Sequence, residues 1–114
     1  LGRETREVAR GRIVRRRPCA MDSSTGGTVV HGGVIATLSD TAAAAASASG
    51  LAEIPKGAAT SNLTVTYLAP ADNVDLLAEA LIIRRGKRQT VEEVTVRDDT
   101  GRLVAKGLVT SQLF

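Results

Sequence analysis

The stretch HGGVIATLSDTAAAAASASG, from His31 to Gly50, decides the fold. Between Val34 and Ser49 it holds no glycine, no proline and one charge, Asp40, and alanine dominates it. Alanine is the best helix former, so this composition predicts a helix over Val34–Ser49. Gly50 suits the left-handed residue that closes a helix. A surface helix normally shows a polar stripe, yet Val34, Ile35, Leu38 and the alanines cover most of this circumference. The pattern predicts a helix buried nearly all round, as if a sheet wraps it. An ionised Asp40 in that setting is costly unless it has partners or a task. A carboxylate facing a solvent gap, or paired with a buried arginine, reads equally well from the residues alone.

The helix start carries a second signal. His31-Gly32-Gly33 precedes the apolar run directly. Glycines there admit a ligand close to the backbone. The first N–H groups of a helix have no internal partner and carry partial positive charge. They suit an anion, or a carbonyl oxygen that turns negative in a transition state. The plainer reading is a tight entry into the helix.

Outward from the helix, residues 6–17 read weakly as one strand, with Val8, Ile13 and Val14 among arginines, and residues 18–30 as loop. Four strand-like segments follow at about 59–68, 74–84, 88–98 and 102–112. Leu63, Val65 and Tyr67 alternate with Thr64 and Thr66. Pro70 and Asp72-Asn73 mark a turn, Arg85-Gly86-Lys87 a hairpin tip, and Asp98-Asp99-Thr100-Gly101 another. Strand, long helix, then antiparallel meander is an α+β pattern. With no internal repeat or linker, residues 1–114 read as one domain.

Composition narrows the function classes. Hydrophobic residues make up 43% of the chain and aromatics 2%, so the core is aliphatic and gains from burial against a partner subunit. No run of about eighteen apolar residues suggests a membrane span, and the charged N-terminus shows no apolar leader. One cysteine, Cys19, excludes an internal disulfide and favours a reducing, cytoplasmic setting. Net charge is +3. Residues 1–17 more than account for it, since Arg3, Arg6, Arg10, Arg12, Arg15, Arg16 and Arg17 face only Glu4 and Glu7 there and the remainder is slightly acidic. Such an arm is either a nucleic-acid contact or a charged edge strand that resists edge-to-edge pairing. It has no aromatic residue for base stacking, so the edge strand is favoured and no nucleic acid is expected. No cluster of His, Cys and acids has metal-ligand spacing, and His31 has no Gly-x-Ser-x-Gly partner.

The run His31-Gly32-Gly33-Val34-Ile35-Ala36-Thr37-Leu38-Ser39-Asp40-Thr41-Ala42 resembles the helix signature of hotdog-fold thioesterases of the phenylacetate-pathway (PaaI-like) group. That signature is His-Gly-Gly, a short apolar stretch, then an acid nine positions after the His. Thr60 to Pro70 resembles the strand after the helix, Arg85-Gly86-Lys87-Arg88 the basic hairpin tip, and Gly101 to Gly107 the start of the last strand. The resemblance covers about residues 24–110.

The resemblance implies an antiparallel sheet wrapped around one long central helix, and acyl-CoA hydrolysis without a metal or redox cofactor. It implies that the Gly32 N–H polarises the thioester carbonyl and that Asp40 is general base or nucleophile. Thr60 would hold the carboxylate or the water, and His31 would orient the loop or touch substrate beside Gly33. The basic tip and its neighbours, Arg84, Arg85, Lys87 and Arg88, would meet the CoA phosphates. One departure stands out. Where relatives often carry an Asn before the glycine pair, this chain has Ser24 or Thr25. A non-catalytic acyl-CoA binder and a hotdog hydratase or dehydratase remain as alternatives. The latter class pairs a catalytic His with an acid in another arrangement.

Spacing adds a physical constraint. Gly32 and Asp40 are about 12 Å apart along a helix at 1.5 Å per residue. One thioester carbonyl cannot touch both. Two antiparallel helices in a homodimer, or a tetramer built from such dimers, bring Gly32 of one chain near Asp40 of the other.

Overall fold

A 17-residue helix, α1 (Gly32–Ala48), lies across one face of an antiparallel sheet. In this computed structural model the described residues are 4–9, 12–17, 32–48, 57–71 and 75–114. The strands are β1 (Glu4–Ala9), β2 (Arg12–Arg17), β3 (Ala58–Tyr67), β4 (Leu76–Arg85), β5 (Gln89–Asp98) and β6 (Leu103–Leu113). Their order across the sheet is β1-β2-β4-β5-β6-β3, so β3 crosses over to the far edge. The architecture is the α+β, helix-on-sheet arrangement that the resemblance implies.

The strand expectations from 59 onward hold to within two residues at each end. The segment 6–17 needs a correction: it is a hairpin of two strands, not one. Only β1 is an edge. β2 pairs with β4 from Arg12↔Leu81 to Arg17↔Leu76. Arg10-Gly11 falls between the two strands, and glycine beside a charged residue is a turn signal that a single-strand reading overlooks. The helix begins at Gly32 rather than Val34 and runs to Ala48. Ser49 and Gly50 lie outside the described residues.

Alternation decides which side chains meet α1. On β4 Leu76, Ala78 and Ala80 face it, on β5 Val94 and Val96, and on β6 Ala105 and Val109. The helix answers with Ile35, Leu38, Ala42, Ala43 and Ala46. Alanines on both surfaces let helix and sheet approach closely, which is how an aliphatic core with almost no aromatics stays filled. In the single chain α1 is not buried all round. Gly33, Thr37 and Ala48 are exposed, and the hydroxyls of Thr37 and Thr41 turn back to the carbonyls of Gly33 and Thr37, at 2.8 and 2.7 Å. A helix this apolar with one uncovered side has room for a second subunit.

Of the register shifts in the sheet, two β-bulges bear on the site. One lies between Thr60 and Asn62 on β3, the other between Ile82 and Arg84 on β4. An extra residue flips the facing of everything beyond it. Leu63, Val65 and Tyr67 face α1, so unbroken alternation would send Thr60 to the far face. The bulge at Ser61 returns it to the helix side, opposite Ser111. The bulge at Ile83 does the same for Arg85, which stands opposite Thr90.

Candidate active site

Asp40 sits half-buried in the middle of α1, two turns from the helix start. Its Oδ1 accepts a hydrogen bond from Thr60 Oγ1 at 2.5 Å. Short O–H···O⁻ bonds of this kind are the strong, charge-assisted class. The carboxylate is thus fixed from the sheet, by a side chain that the β3 bulge turns inward. Two of the expected catalytic residues are brought together directly.

Gly32 is the first residue of α1, and Tyr67 Oη donates to its carbonyl oxygen at 2.8 Å. A Cβ at Gly32 would lie 3.4 Å from Tyr67 Cζ. Gly32 borders a cleft of about 350 Å³, lined also by Ile35, Tyr67, Leu68, Ala69, Pro70 and Ala71. Asp40 is not part of that lining. Within one chain, the helix start with its cleft and the carboxylate with its hydroxyl are separate half-sites, as the helical spacing requires.

The basic residues divide. Arg84 and Arg85 end β4, and Gly86, Lys87 and Arg88 form the turn, closed by Gly86 N donating to Gln89 O at 2.7 Å. Lys87 and Arg88 are exposed. Arg85 has a structural task, since its Nη1 donates to the carbonyl of Ser47 at 3.0 Å, near the end of α1. A cation there satisfies a late helix carbonyl and suits the helix dipole. Arg85 is thus anchored at the opposite end of the helix from Gly32. Gly33 is exposed beside Gly32. His31 lies outside the described residues, as do Ser24 and Thr25.

Sequence reasoning missed Tyr67 and a buried acid. Tyr67 shares its facing with Leu63 and Val65, and that alternation was its only signal. Glu92 on β5 is wholly buried on the helix side. Its Oε1 accepts from Thr90 Oγ1 at 2.8 Å. Burial raises its carboxyl above the usual range, against the opposing pull of Thr90, Ser111 and the Arg85 charge. Two adjacent glutamates, Glu92 and Glu93, gave no sign of which one faces inward. Glu93 is the outward one, paired with Lys106 Nζ at 2.6 Å.

Among the described residues no three of His, Cys, Asp and Glu converge as a metal site, and no helix is long and apolar enough to cross a membrane. Comparison with known proteins places this geometry. A protein of Halobacterium salinarum that carries an esterase name is 44% identical over 68 residues, which span 59% of this chain and 44% of that protein's length. The E. coli PaaI protein, from the phenylacetic acid degradation operon, superposes with a TM-score of 0.90 at 25% identity, covering 100% of this chain and 80% of that one. A Streptococcus mutans protein solved with acetyl-CoA bound has the same fold, with a TM-score of 0.90 at 23% identity over 100% of this chain and 90% of that one. The sequence profile described as thioesterase superfamily matches residues 27–105, and with the helix signature and the sheet around it this shows that the chain belongs to the thioesterase superfamily, with the hotdog fold.

Proposed function

We propose that the protein is an acyl-CoA thioesterase that releases free CoA and a carboxylic acid at sites shared between two subunits. The observation that carries this reading is the Thr60–Asp40 hydrogen bond, 2.5 Å long. It holds one carboxylate in a fixed orientation on an otherwise uncharged helix, as a base or nucleophile needs. The thioester carbonyl lies against the N–H at Gly32, where the helix start stabilises the developing oxyanion. Asp40 of the other subunit activates water, or attacks directly, from the opposite side. Tyr67 braces the helix start through the Gly32 carbonyl, and His31 and Gly33 border the substrate.

The antiparallel arrangement has a second consequence. Lys87 and Arg88 lie at the hairpin next to the Ser47 end of α1, through Arg85. Pairing two helices head to tail brings that end of one subunit toward the Gly32 end of the other, where CoA phosphates need cations. The acetyl-CoA bound to the Streptococcus mutans relative supports CoA as the carrier here. The family membership and the anchored carboxylate support hydrolysis over bare binding.

A panel of acyl-CoA substrates, with free thiol measured after each, tests the reading. Thiol release from at least one substrate above the uncatalysed rate is the expected result. Binding of acyl-CoA with no release from any member would favour a non-catalytic acyl-CoA module. Light scattering should give at least about 24 kDa, twice the 11.9 kDa chain.

A further inference from the structure

A row of polar side chains crosses the sheet beneath the second half of α1. Register pairs Arg85 of β4 with Thr90 of β5, Thr90 with Ser111 of β6, and Ser111 with Thr60 of β3. Both ends of the row face the helix only because of the two bulges. At one end Arg85 holds the Ser47 carbonyl, and at the other Thr60 holds Asp40. Four neighbouring strands about 4.8 Å apart span about 14 Å. Asp40 and Ser47 are about 10 Å apart along α1, so row and helix run side by side.

The hydrogens in this row are nearly all accounted for. Thr90 gives its proton to Glu92 Oε1, and Thr60 gives its proton to Asp40 Oδ1. Two fully buried polar atoms are left without a partner within 3.5 Å, Glu92 Oε2 and Ser111 Oγ. Ser111 is nonetheless close enough to act on the Glu92 carboxyl. Buried unpaired polar atoms are costly, so a small rotation that joins the two is favoured. The direction of that bond depends on one proton. If Glu92 is neutral, Oε2–H donates to Ser111 Oγ, and the Ser111 proton is left free to turn toward Thr60, its neighbour in the β3–β6 register, a bond that also needs a small shift. If Glu92 is ionised, Ser111 must donate to Oε2 and offers Thr60 nothing.

We propose that Glu92 is a positioning residue for Asp40: its proton orders a one-way chain, Glu92 to Ser111 to Thr60 to Asp40, that fixes the reactive carboxylate. Each hydroxyl polarised from behind makes a stronger donor ahead, so Asp40 is held best when Glu92 is neutral. Burial shifts Glu92 toward the neutral form, because desolvation is the largest influence on its carboxyl and outweighs the opposing pull of Thr90, Ser111 and the Arg85 charge. Among the described residues, the charge that acts on it is Arg85 of β4. The titratable groups on the other packed elements are Asp40 on α1, Tyr67 on β3, and Lys106 on β6, which is paired with Glu93 on the opposite face. The effect on turnover rests on the thioesterase reading, while the coupling between the two carboxyls does not.

The test follows the Asp40 side-chain carboxyl carbon by NMR as pH is raised, in the wild type, Glu92→Gln and Ser111→Ala. Glutamine keeps a permanent N–H donor toward Ser111 and removes a buried charge, so the variant folds. The wild-type Asp40 signal should show an inflection where Glu92 ionises. Both variants should lack that inflection. If the wild-type Asp40 signal does not respond to the ionisation of Glu92, the proposal is overturned. Persistence of the inflection in Ser111→Ala would also overturn it, because the coupling would then pass through space. Turnover gives the separate arm. Wild-type kcat should fall by about tenfold across the Glu92 titration, the scale of one charge-assisted hydrogen bond, and Glu92→Gln should stay flat. A coupled titration without thiol release from any acyl-CoA would keep the chain and discard the thioesterase reading. Thiol release with an Asp40 signal blind to Glu92 would do the reverse.

Discussion

Thr60 Oγ1 lies 2.5 Å from Asp40 Oδ1, although the residues are 20 positions apart in the chain. The contact exists because the bulge at Ser61 turns Thr60 toward α1, in register with Ser111. Thr60→Val keeps the shape and removes the donor. Loss of a hydrogen bond to a charged group, about 1.5 kcal/mol at the low end, corresponds to about a tenfold fall in kcat. Unfolding in denaturant should change little, because Thr60 is exposed at the sheet edge. An unchanged kcat in Thr60→Val would remove Thr60 from the site.

The basic residues should separate by experiment. Lys87 and Arg88 together changed to alanine should raise KM for CoA esters more than they lower kcat, with melting temperature unchanged, because both are exposed. Arg85→Ala should instead destabilise, since it strips the Ser47 carbonyl of its 3.0 Å partner. A cost of about 1 kcal/mol in denaturant midpoints is expected, the usual net worth of such a bond. If Lys87 and Arg88 leave KM untouched for several CoA esters, the phosphates bind elsewhere.

Two buried or turn-held acids give stability opposite slopes with pH. Thr100 Oγ1 donates to Asp98 Oδ1 at 2.6 Å, and the N–H groups of Thr100 and Arg102 add bonds at 2.9 and 3.0 Å. The Thr100 hydroxyl, then the backbone bonds, hold Asp98 below the usual carboxylate range. Its contribution is full above the ordinary carboxylate value and is lost as pH falls through the lowered one. Glu92 is raised by burial, so its contribution is full at low pH and is lost as pH rises through the raised value. In melts across pH, Asp98→Asn should be less stable than wild type at neutral pH, with the gap closing in acid. Glu92→Gln should be more stable than wild type in alkali, with the gap closing toward its ordinary value of 4.5. Parallel curves for all three proteins would contradict these assignments.

The helix was legible because alanine content and the absence of glycine and proline need no partner to interpret. The four later strands were legible from alternation and turn residues. The facing of Thr60 and Arg85 was not, because a bulge inserts one residue without a sequence mark and inverts the side beyond it. Thr60 was reached through family resemblance, and Arg85 was placed with the exposed tip although it braces the helix end. The buried acid escaped for a related reason. Glu92-Glu93 reads as a solvated pair until register shows Glu92 with Thr90 and Ser111 on the helix side and Glu93 with Lys106 on the other.

A shared site makes a prediction that a single-chain site does not. Gly32→Val places a branched side chain where a Cβ already lies 3.4 Å from the Tyr67 ring, and should block the cleft. Asp40→Asn should disable the carboxylate. Mixed dimers of these two inactive chains contain one site with both Gly32 and Asp40 intact. Co-refolding them should restore thiol release, up to half the wild-type rate per mixed dimer. No recovery in demonstrably mixed dimers would place the whole site in one chain.

The central claim is that Asp40 does the chemistry, and Asp40→Asn tests it most directly. Asparagine fills the same space and keeps an acceptor for Thr60, so the variant should fold with unchanged or higher melting temperature. Acyl-CoA binding should survive, and kcat for thiol release should fall by at least about 10²-fold, the scale of a positioned acid–base group. Turnover and melting are measured on the same preparation. Near-normal thiol release from a well-folded Asp40→Asn protein would contradict the account.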